Sequence, residues 1–397
     1  VIASSLHAQA ANAETSTDTN QTLLVTAAQN NSNEATNTDY SVPVTRASTK
    51  MALTVRDTPQ SVSVITKQRI EDQKLVTLND ALKNTTGISE FNSGSNRSNF
   101  YSRGFMIDNY QIDGVPTLID SQWNVGDTLS DTAVYDRIEV VRGATGLMTG
   151  AGSPAASINM IHKHADSKEF QANVSASYGS WDTQRYVGDI SAPLTESGNV
   201  RGRVVAGYQD GDSWLDHYHT RKKFLYGVVD ADLSDNTTAS LGYDYQETNI
   251  SGATWGGLPT YYLDGSKTNY SRSTNLAPDW AYNNSDSKKV FANLKHTFDN
   301  GWLVNLSGSH TEATMDSKLL YIDGYFDKTT GIGIGPYAGY DLLGGTGYNS
   351  AKRKEDSLDA YASGPYELFG RQHELMFGVT YLRQNDRYFS SSTSFTS

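Results

Sequence analysis

Residues 170–178 have the sequence FQANVSASY, in which apolar and polar side chains alternate without a break. Successive side chains of a β-strand point to opposite faces, so this period of two predicts a strand with one apolar face. The same alternation returns in eight further segments, at residues 186–194, 200–208, 225–233, 239–245, 290–298, 302–310, 358–362 and 375–381. The repetition predicts a large antiparallel sheet.

The connections between these segments alternate in length. Every second one is short, near residues 195–199, 234–237, 299–301 and 367–372. The others are far longer, as between Tyr245 and Val290 and between His310 and Leu358. Short turns at one end and long loops at the other are typical of outer-membrane β-barrels, whose short periplasmic turns alternate with long extracellular loops. The order of the connections also puts whatever precedes residue 166 on the periplasmic side.

The composition fits this interpretation and excludes several others. No apolar run reaches the length of a transmembrane helix, and the mean hydropathy of −0.52 suits strands with one polar face. The chain has no cysteine, which excludes a disulfide framework and thiolate metal sites. Its net charge of −12 argues against nucleic acid as a partner.

Residues 43–165 have the pattern of a compact mixed α/β domain. Apolar positions at Ile70, Leu75, Leu78, Ala81 and Leu82 predict one helix that stops near Gly87. The predicted strands are Ser61–Ile65, Gln111–Pro116 with a tight turn, Asp136–Gly143, and Ser157–Ile161. The Gly-rich stretch at 143–152 lacks the Gly-Lys-Ser/Thr ending of a phosphate loop.

The N-terminal residues divide into two parts. Residues 1–13 are interpreted as the remnant of a signal peptide, with small residues at Ala11 and Ala13 before the cleavage site; a disordered N-terminus is the alternative. Residues 14–42 are polar and predicted to be disordered. Within them, residues 22–27 form a short apolar, β-prone run. Such a run on a flexible tether suits strand addition to a partner's sheet.

The predicted strand number is odd. A single-chain bacterial barrel has an even number of strands, and one wide enough for a plug is of the 22-stranded kind. We therefore expect an N-terminal fragment: a truncated barrel over 166–397, plugged by the α/β domain.

Several stretches resemble the TonB-dependent siderophore receptors, and among these most closely the hydroxamate group that takes up ferric coprogen and ferric rhodotorulic acid. The resemblance is carried by Asp57–Val62, Tyr101–Phe105 with Ile112–Pro116, Arg137–Asn159, Thr254–Pro259 and Tyr366–His373. It implies a plug domain and uptake of a ferric siderophore across the outer membrane by a receptor that is expected to be a monomer surrounded by lipid. It also implies that the periplasmic protein TonB binds the run at 22–27, through Thr22, Leu23, Leu24, Val25 and Thr26. No enzymatic site and no cofactor is expected, and iron arrives only as part of the ligand.

The resemblance further implies a siderophore pocket built from plug loops and barrel loops. Aromatic rings supply apolar contact area and arginine donates hydrogen bonds to the oxygens around the iron. The candidates are Arg97, Tyr101, Gln122 and Trp123 on the plug, and Trp255, Tyr261, Trp280, Tyr325 and Tyr337 on the barrel. Similar receptors carry arginine where this chain has Gln122, which puts the particular siderophore in question.

Two charged groups near the end of the α/β domain have competing interpretations. Arg137, Glu139 and Arg142 alternate along one strand and either bind the barrel wall through ion pairs or form a solvated face. His162 and His164 are expected to form a surface pair rather than a metal site. The alternative functions are a receptor for a catecholate or citrate chelate, with haem disfavoured, and a passive porin-like barrel. A porin has neither a plug nor the run at 22–27.

Overall fold

The computed structural model describes residues 2–6, 40–42, 44–45, 50–51, 53–119, 129–143, 153–322, 324–331, 333–334 and 342–396. The predicted TonB-binding residues Thr22–Thr26 lie outside these ranges, as do Gln122, Trp123 and Tyr337. The elements before residue 165 are β1 (Ile2–Leu6), β2 (Val44–Thr45), β3 (Leu53–Thr54), β4 (Ser61–Thr66), α1 (Lys67–Asp72), α2 (Leu78–Lys83), β5 (Ser89–Asn92), β6 (Ser98–Ser102), β7 (Phe105–Met106), β8 (Asn109–Ile112), β9 (Val115–Leu118), β10 (Tyr135–Arg142) and β11 (Ala156–His162).

A five-stranded sheet forms the centre of the plug. Its strand order is β4-β10-β11-β8-β9, with β8 parallel to β11 and the other neighbours antiparallel. The predicted turn between β8 and β9 is confirmed at Asp113 and Gly114, which both have positive φ, as a tight hairpin turn requires. The other predicted plug strands are confirmed as β4, β10 and β11, and β5, β6 and β7 form a smaller sheet beside them.

The single predicted helix is wrong, because the chain forms two short helices here. Lys74 adopts a left-handed conformation with φ of 53°, which ends the first helical segment. Thr77 then starts α2 with a capping box, in which its hydroxyl accepts from the Asp80 N–H and Asp80 accepts from the Thr77 N–H. The apolar spacing is unaffected by the break, since Ile70, Leu75 and the apolar residues of α2 are all buried.

The predicted nine-stranded antiparallel sheet is confirmed in the described residues. Its strands follow one another in sequence order, each paired with the next. They and the two short loop strands are β12 (Gln171–Tyr178), β13 (Gln184–Pro193), β14 (Val200–Asp212), β15 (His219–Ser234), β16 (Thr237–Ser251), β17 (Tyr282–Thr297), β18 (Leu303–Ile322), β19 (Tyr325–Phe326), β20 (Gly333–Ile334), β21 (Leu342–Leu368) and β22 (Arg371–Thr396).

The strands are longer than the alternation predicted. β18 has 20 residues and β21 has 27, whereas about ten residues suffice to cross a bilayer. The extra length lies mostly at the long-loop end, where β16 continues to Ser251 and β17 begins at Tyr282. Apolar alternation marks only the part of each strand that faces lipid, so it does not detect the polar continuation.

Residues 2–6 extend the large sheet to ten strands. β1 pairs antiparallel with β12 at the edge where β12 has no other neighbour. An open edge exposes unpaired backbone N–H and C=O groups, which a short β-prone segment satisfies. The interpretation of residues 1–13 as a signal-peptide remnant stays a prediction.

The inner face of the sheet packs on the plug, and both contribute to one apolar core. From the sheet come Val205, Phe224, Tyr226, Val228 and Phe291, which belong to the same buried cluster as plug residues such as Ile138 and Ile158. Alternate residues on the outer face, including Leu225 and Val229, are apolar and exposed. This arrangement suits lipid on the outside. Within the described residues, no helix is long and apolar enough to cross a membrane.

Candidate functional site

The β5–β6 hairpin of the plug points towards the long-loop end of the sheet. Its tip, residues 93–97, is closed by two hydrogen bonds: the Ser93 N–H donates to the Arg97 carbonyl at 2.9 Å, and Arg97 Nη2 donates to the Ser93 carbonyl at 2.8 Å. The hairpin therefore fixes the direction of the Arg97 side chain. Burial lowers the pKa of Arg97, but a guanidinium remains charged in proteins.

Arg97 faces Trp255 of the barrel loop between β16 and β17. The guanidinium carbon lies 5.8 Å from the centre of the Trp255 ring, and that ring lies 5.8 Å from the ring of Tyr321 on β18. The Nε atom of Arg97 is buried and has no hydrogen-bond partner within the described residues. A buried donor without a partner is costly, so this group is suited to a ligand acceptor.

An open pocket of about 510 Å³ lies next to this contact, between the hairpin tip and the barrel loops. A second cation–ring pair lines it, with the Arg272 guanidinium 5.5 Å from the ring centre of Trp214. The residues that define the pocket include Asn92, Gly94, Ser95, Trp214, Leu215, Tyr218, Thr254, Trp255, Arg272, Asn275 and Leu320. The pocket combines large rings with the guanidinium group of Arg272 and is lined mainly by residues of the long loops and of the plug hairpin.

Of the predicted siderophore-binding residues that the structure describes, Trp255 lines the pocket, and Arg97 lies next to it over the Trp255 ring. Tyr101 lies within β6, opposite Ser89 and Met106. Tyr261, Tyr325 and Trp280 are all exposed, and the Lys318 ammonium lies 4.7 Å from the centre of the Trp280 ring. None of these four lines the described pocket.

Trp214, Tyr218 and Arg272 line the pocket but were not predicted. Trp214 lies in a connection, 213–218, that the sequence already marked as a loop. A tryptophan in a long-side loop was therefore the available signal. Arg272 gives no such signal, because a single arginine in a 30-residue polar loop resembles any solvated charge.

The predicted plug–barrel group of Arg137, Glu139 and Arg142 makes hydrogen bonds inside the plug. Arg137 Nε donates to Glu139 Oε1 at 2.9 Å, and both residues line a cavity of about 210 Å³ between plug and sheet. Arg142 donates to the hydroxyls of Ser61 and Ser63 and to the Thr86 carbonyl. Whether this group also binds the barrel during function stays a prediction.

Other residues carry ion pairs between plug and barrel. We call the boundary between plug and barrel the seam. The shortest charged contacts across it are Arg185–Asp131 at 2.6 Å, Lys50–Asp359 at 2.6 Å, Lys163–Asp189 at 2.9 Å and His164–Asp230 at 2.9 Å. Lys163 and His164 follow directly after β11, where the chain leaves the plug for the first barrel strand. Residues 162–165 therefore lie at the boundary between plug and barrel and contribute two of these four contacts.

The expectation that His162 and His164 form a surface pair is wrong for His162. Its side chain is fully buried, with Nδ1 2.7 Å from Asp113 Oδ2 in the plug and Nε2 3.6 Å from Asp244 Oδ2 in the barrel. Burial alone would lower the pKa of His162, but the charge and hydrogen bond of Asp113 outweigh it and raise the pKa to about 9. Two carboxylates, one on each side of the seam, therefore hold a buried imidazolium.

A family model for the TonB-dependent receptor plug domain matches residues 54–157. The matched residues make up most of the predicted α/β domain at 43–165. The ferripyoverdine receptor of Pseudomonas aeruginosa is 40% identical over 346 residues, which cover 86% of this chain and 41% of that receptor. The ferric-pyoverdine 358 receptor of Pseudomonas putida is 40% identical over 354 residues, covering 88% and 42%.

The fold agrees with these relatives. The crystal structure of the Pseudomonas aeruginosa ferripyoverdine receptor bound to ferripyoverdine superposes with a TM-score of 0.81 at 37% identity, covering 89% of this chain and 47% of the other. The predicted fold, a plug within an antiparallel outer-membrane barrel sheet, is confirmed, and so is the outer-membrane location. The chain spans about two fifths of the length of the curated relatives it matches. Because these relatives are pyoverdine receptors, the predicted resemblance to the coprogen and rhodotorulic acid group is not confirmed.

Proposed function

We propose that this chain belongs to a receptor that takes up a ferric siderophore across the outer membrane, driven by TonB. The observation that carries the proposal is the pocket at the long-loop end, which lies directly on the plug hairpin. A ligand bound there touches both the barrel loops and the domain that must move for it to pass. A passive porin has no plug, so a pocket formed partly by a plug hairpin argues against that function.

The pocket chemistry supports a ferric chelate as the ligand. Arg97 and Arg272 each lie over a tryptophan ring of this pocket, so both guanidinium groups are backed by flat apolar surfaces. A ferric siderophore presents iron wrapped in anionic oxygens and an organic exterior. Guanidinium groups donate to such oxygens, and indole rings contact the exterior with few rotatable bonds to immobilise.

A pyoverdine is the siderophore class that the relatives favour. The sequence alone favoured a coprogen-type hydroxamate, and the position of Gln122 already weighed against that ligand. Growth of an iron-starved strain that carries the full-length receptor, with ferric pyoverdine, ferric coprogen or a ferric catecholate as the iron source, distinguishes the three. Growth on pyoverdine alone is the expected result, and growth on coprogen alone would restore the hydroxamate assignment.

TonB is proposed to bind residues 22–27 by strand addition, in which main-chain hydrogen bonds provide the grip. Deletion of residues 22–27 from the full-length receptor should abolish uptake of radioactive iron and leave siderophore binding intact. Deletion of the six polar residues 29–34 is the matched control and should leave both intact. Uptake that survives the first deletion would contradict TonB-driven transport through this run. The receptor is further proposed to be a monomer in the outer-membrane lipid.

A further inference from the structure

Two pairs of residues join the plug hairpin to the barrel loop that carries Trp255. The Ser95 N–H donates to Thr254 Oγ1 at 3.0 Å, and the Thr254 N–H donates to Ser95 Oγ at 3.0 Å. Beside them, Gly94 and Trp255 form an antiparallel bridge. We call these four residues, Gly94, Ser95, Thr254 and Trp255, the apex clip.

The clip requires a close approach of two backbones. A Cβ atom at Gly94 would lie 2.6 Å from the Thr254 carbonyl oxygen, which is closer than real Cβ contacts. Any side chain at this position would therefore push the loop away from the hairpin. The fit is specific to glycine, as expected where one backbone lies against another.

The barrel holds Trp255 from its other side. Trp255 forms a parallel bridge with Tyr321 on β18, and its ring lies against Gly347 on β21, where a Cβ would meet the indole at 2.4 Å. Trp255 is thus held between the plug, which contacts it through Gly94, and the barrel, which contacts it through Tyr321 and Gly347. Any displacement of the hairpin must either break the apex clip or pull Trp255 out of its place.

We propose that the apex clip couples the plug to the pocket: closed, it positions Trp255 for the ligand, and it must open for the ligand to pass. This inference rests on the proposed uptake function and specifies how its site is regulated. Ser95 and Thr254 themselves line the pocket, and their paired hydrogen bonds hold the neighbouring Trp255 in place. When TonB pulls the plug inward, the hairpin leaves the pocket, and the same motion opens the path through the barrel.

A reversible crosslink tests whether the clip must open. The bridge between Gly94 and Trp255 sets Ser95 opposite Thr254, and opposed residues of antiparallel segments have Cα separations of about 4.5–5.5 Å, which a disulfide spans. We would introduce S95C and T254C together into the full-length receptor. The control is S309C with S357C, which are opposed on β18 and β21 with their hydroxyls 2.7 Å apart and which join barrel to barrel.

The proposal requires that the oxidised S95C/T254C receptor still binds the ferric siderophore, more tightly than a receptor with S95A and T254V, but takes up no iron. Reduction must restore uptake, and the oxidised control must transport like the wild type. Wild-type uptake by the crosslinked receptor, or loss of binding on crosslinking, would overturn the coupling. A failure of the proposed function itself is different, since the wild type and the control would then also take up no iron in either state.

A second variant tests the positioning role without a crosslink. S95A with T254V removes both side-chain acceptors while keeping the size of the threonine side chain. We expect the Kd for the ferric siderophore to rise about tenfold, the order expected for loss of two hydrogen bonds, with the maximal uptake rate unchanged. A Kd equal to that of the wild type would show that the clip does not position Trp255.

Discussion

His162 of the plug and Phe291 of the barrel form an offset stack, with ring centroids 5.0 Å apart and ring planes 1° from parallel. Tyr226, also of the barrel, stacks on the same imidazole at 5.1 Å. The ring of His162 is thereby enclosed by barrel aromatics, while its two nitrogens point towards carboxylates on opposite sides of the seam. The plug and the barrel are therefore packed directly against each other at His162.

Replacement of His162 by glutamine is expected to weaken the docking of the plug. Asp113 and Asp244 lose the imidazolium between them, and removing one partner of a buried charged group costs about 3 kcal/mol or more. The free energy of plug unfolding, measured from urea-dependent tryptic cleavage of the full-length receptor, should fall by that order. His217→Asn, in an exposed loop, is the control and should be close to the wild type. Equal stability of the two variants would mean that the buried histidine contributes nothing to docking.

The pH dependence of this contribution follows from the direction of the pKa shift. The folded-state pKa of His162 is raised to about 9 from an ordinary value of 6.5. The stabilisation is therefore fully present below about pH 6.5 and is lost as the pH rises through 9. Burial alone would raise the pKa of Asp113, but the charge and hydrogen bonds of His162 outweigh this effect and lower it. The pair therefore also weakens in strong acid, well below pH 3.8, where Asp113 becomes protonated.

Wild-type receptor and His162→Gln should accordingly differ most in plug stability near pH 6 and converge towards pH 9.5. The same urea-dependent cleavage, repeated at intervals of one pH unit, measures this difference. A difference that stays constant from pH 6 to 9.5 would show that stacking on Phe291 and Tyr226, rather than the charge, holds the ring.

Arg185 and Asp131 form the best-defined ion pair across the seam. Arg185 donates to both carboxylate oxygens, at 2.6 and 2.8 Å, and the Asp131 side chain is only 2% exposed. Arg185→Ala is expected to cost about 3 kcal/mol of plug stability, because it leaves a buried carboxylate unpaired. Arg185→Lys should cost less, since it keeps the charge but cannot form both hydrogen bonds.

The matched control for this pair is Arg221→Ala, which removes an exposed partner of Asp210 on the barrel. An exposed pair contributes little, so plug cleavage should be unchanged. If Arg185→Ala proved as neutral as Arg221→Ala, the seam would be held by apolar contacts such as those of Val205 and Phe224 instead.

Strand order and the plug could be predicted from the sequence because both depend on local patterns. Alternation along segments such as Phe170–Tyr178 follows from a lipid-facing outer surface, and the order of short and long connections fixes how strands pair. The ends of the strands could not be predicted, because polar residues beyond the bilayer, as at Ser251 and Tyr282, follow no periodic rule.

The seam and most of the pocket could not be predicted, for a different physical reason. His162 has the same local sequence whether it is solvated or buried, and its burial depends on Phe291, which lies 129 residues further along the chain. The position of Arg272 in the pocket likewise depends on a distant residue, Trp214, over whose ring it lies. The position of Trp255 in the pocket could be predicted, since a tryptophan inside a long loop has no membrane interface to occupy.

This distinction between loop and strand-end aromatics gives the last prediction. Trp255 lines the pocket beneath Arg97, whereas Trp280 lies just before β17, outside the described pocket, with Lys318 over its ring. Trp255→Ala should raise the Kd for the ferric siderophore at least tenfold, because a large ring at the centre of a binding site contributes about 2 kcal/mol or more. Trp280→Ala should change it less than twofold, since the ring makes no pocket contact. Quenching of intrinsic fluorescence on titration with the ferric siderophore measures both. If Trp280→Ala weakened binding and Trp255→Ala did not, the ligand would sit outside the plug hairpin, and the pocket assigned here would be the wrong one.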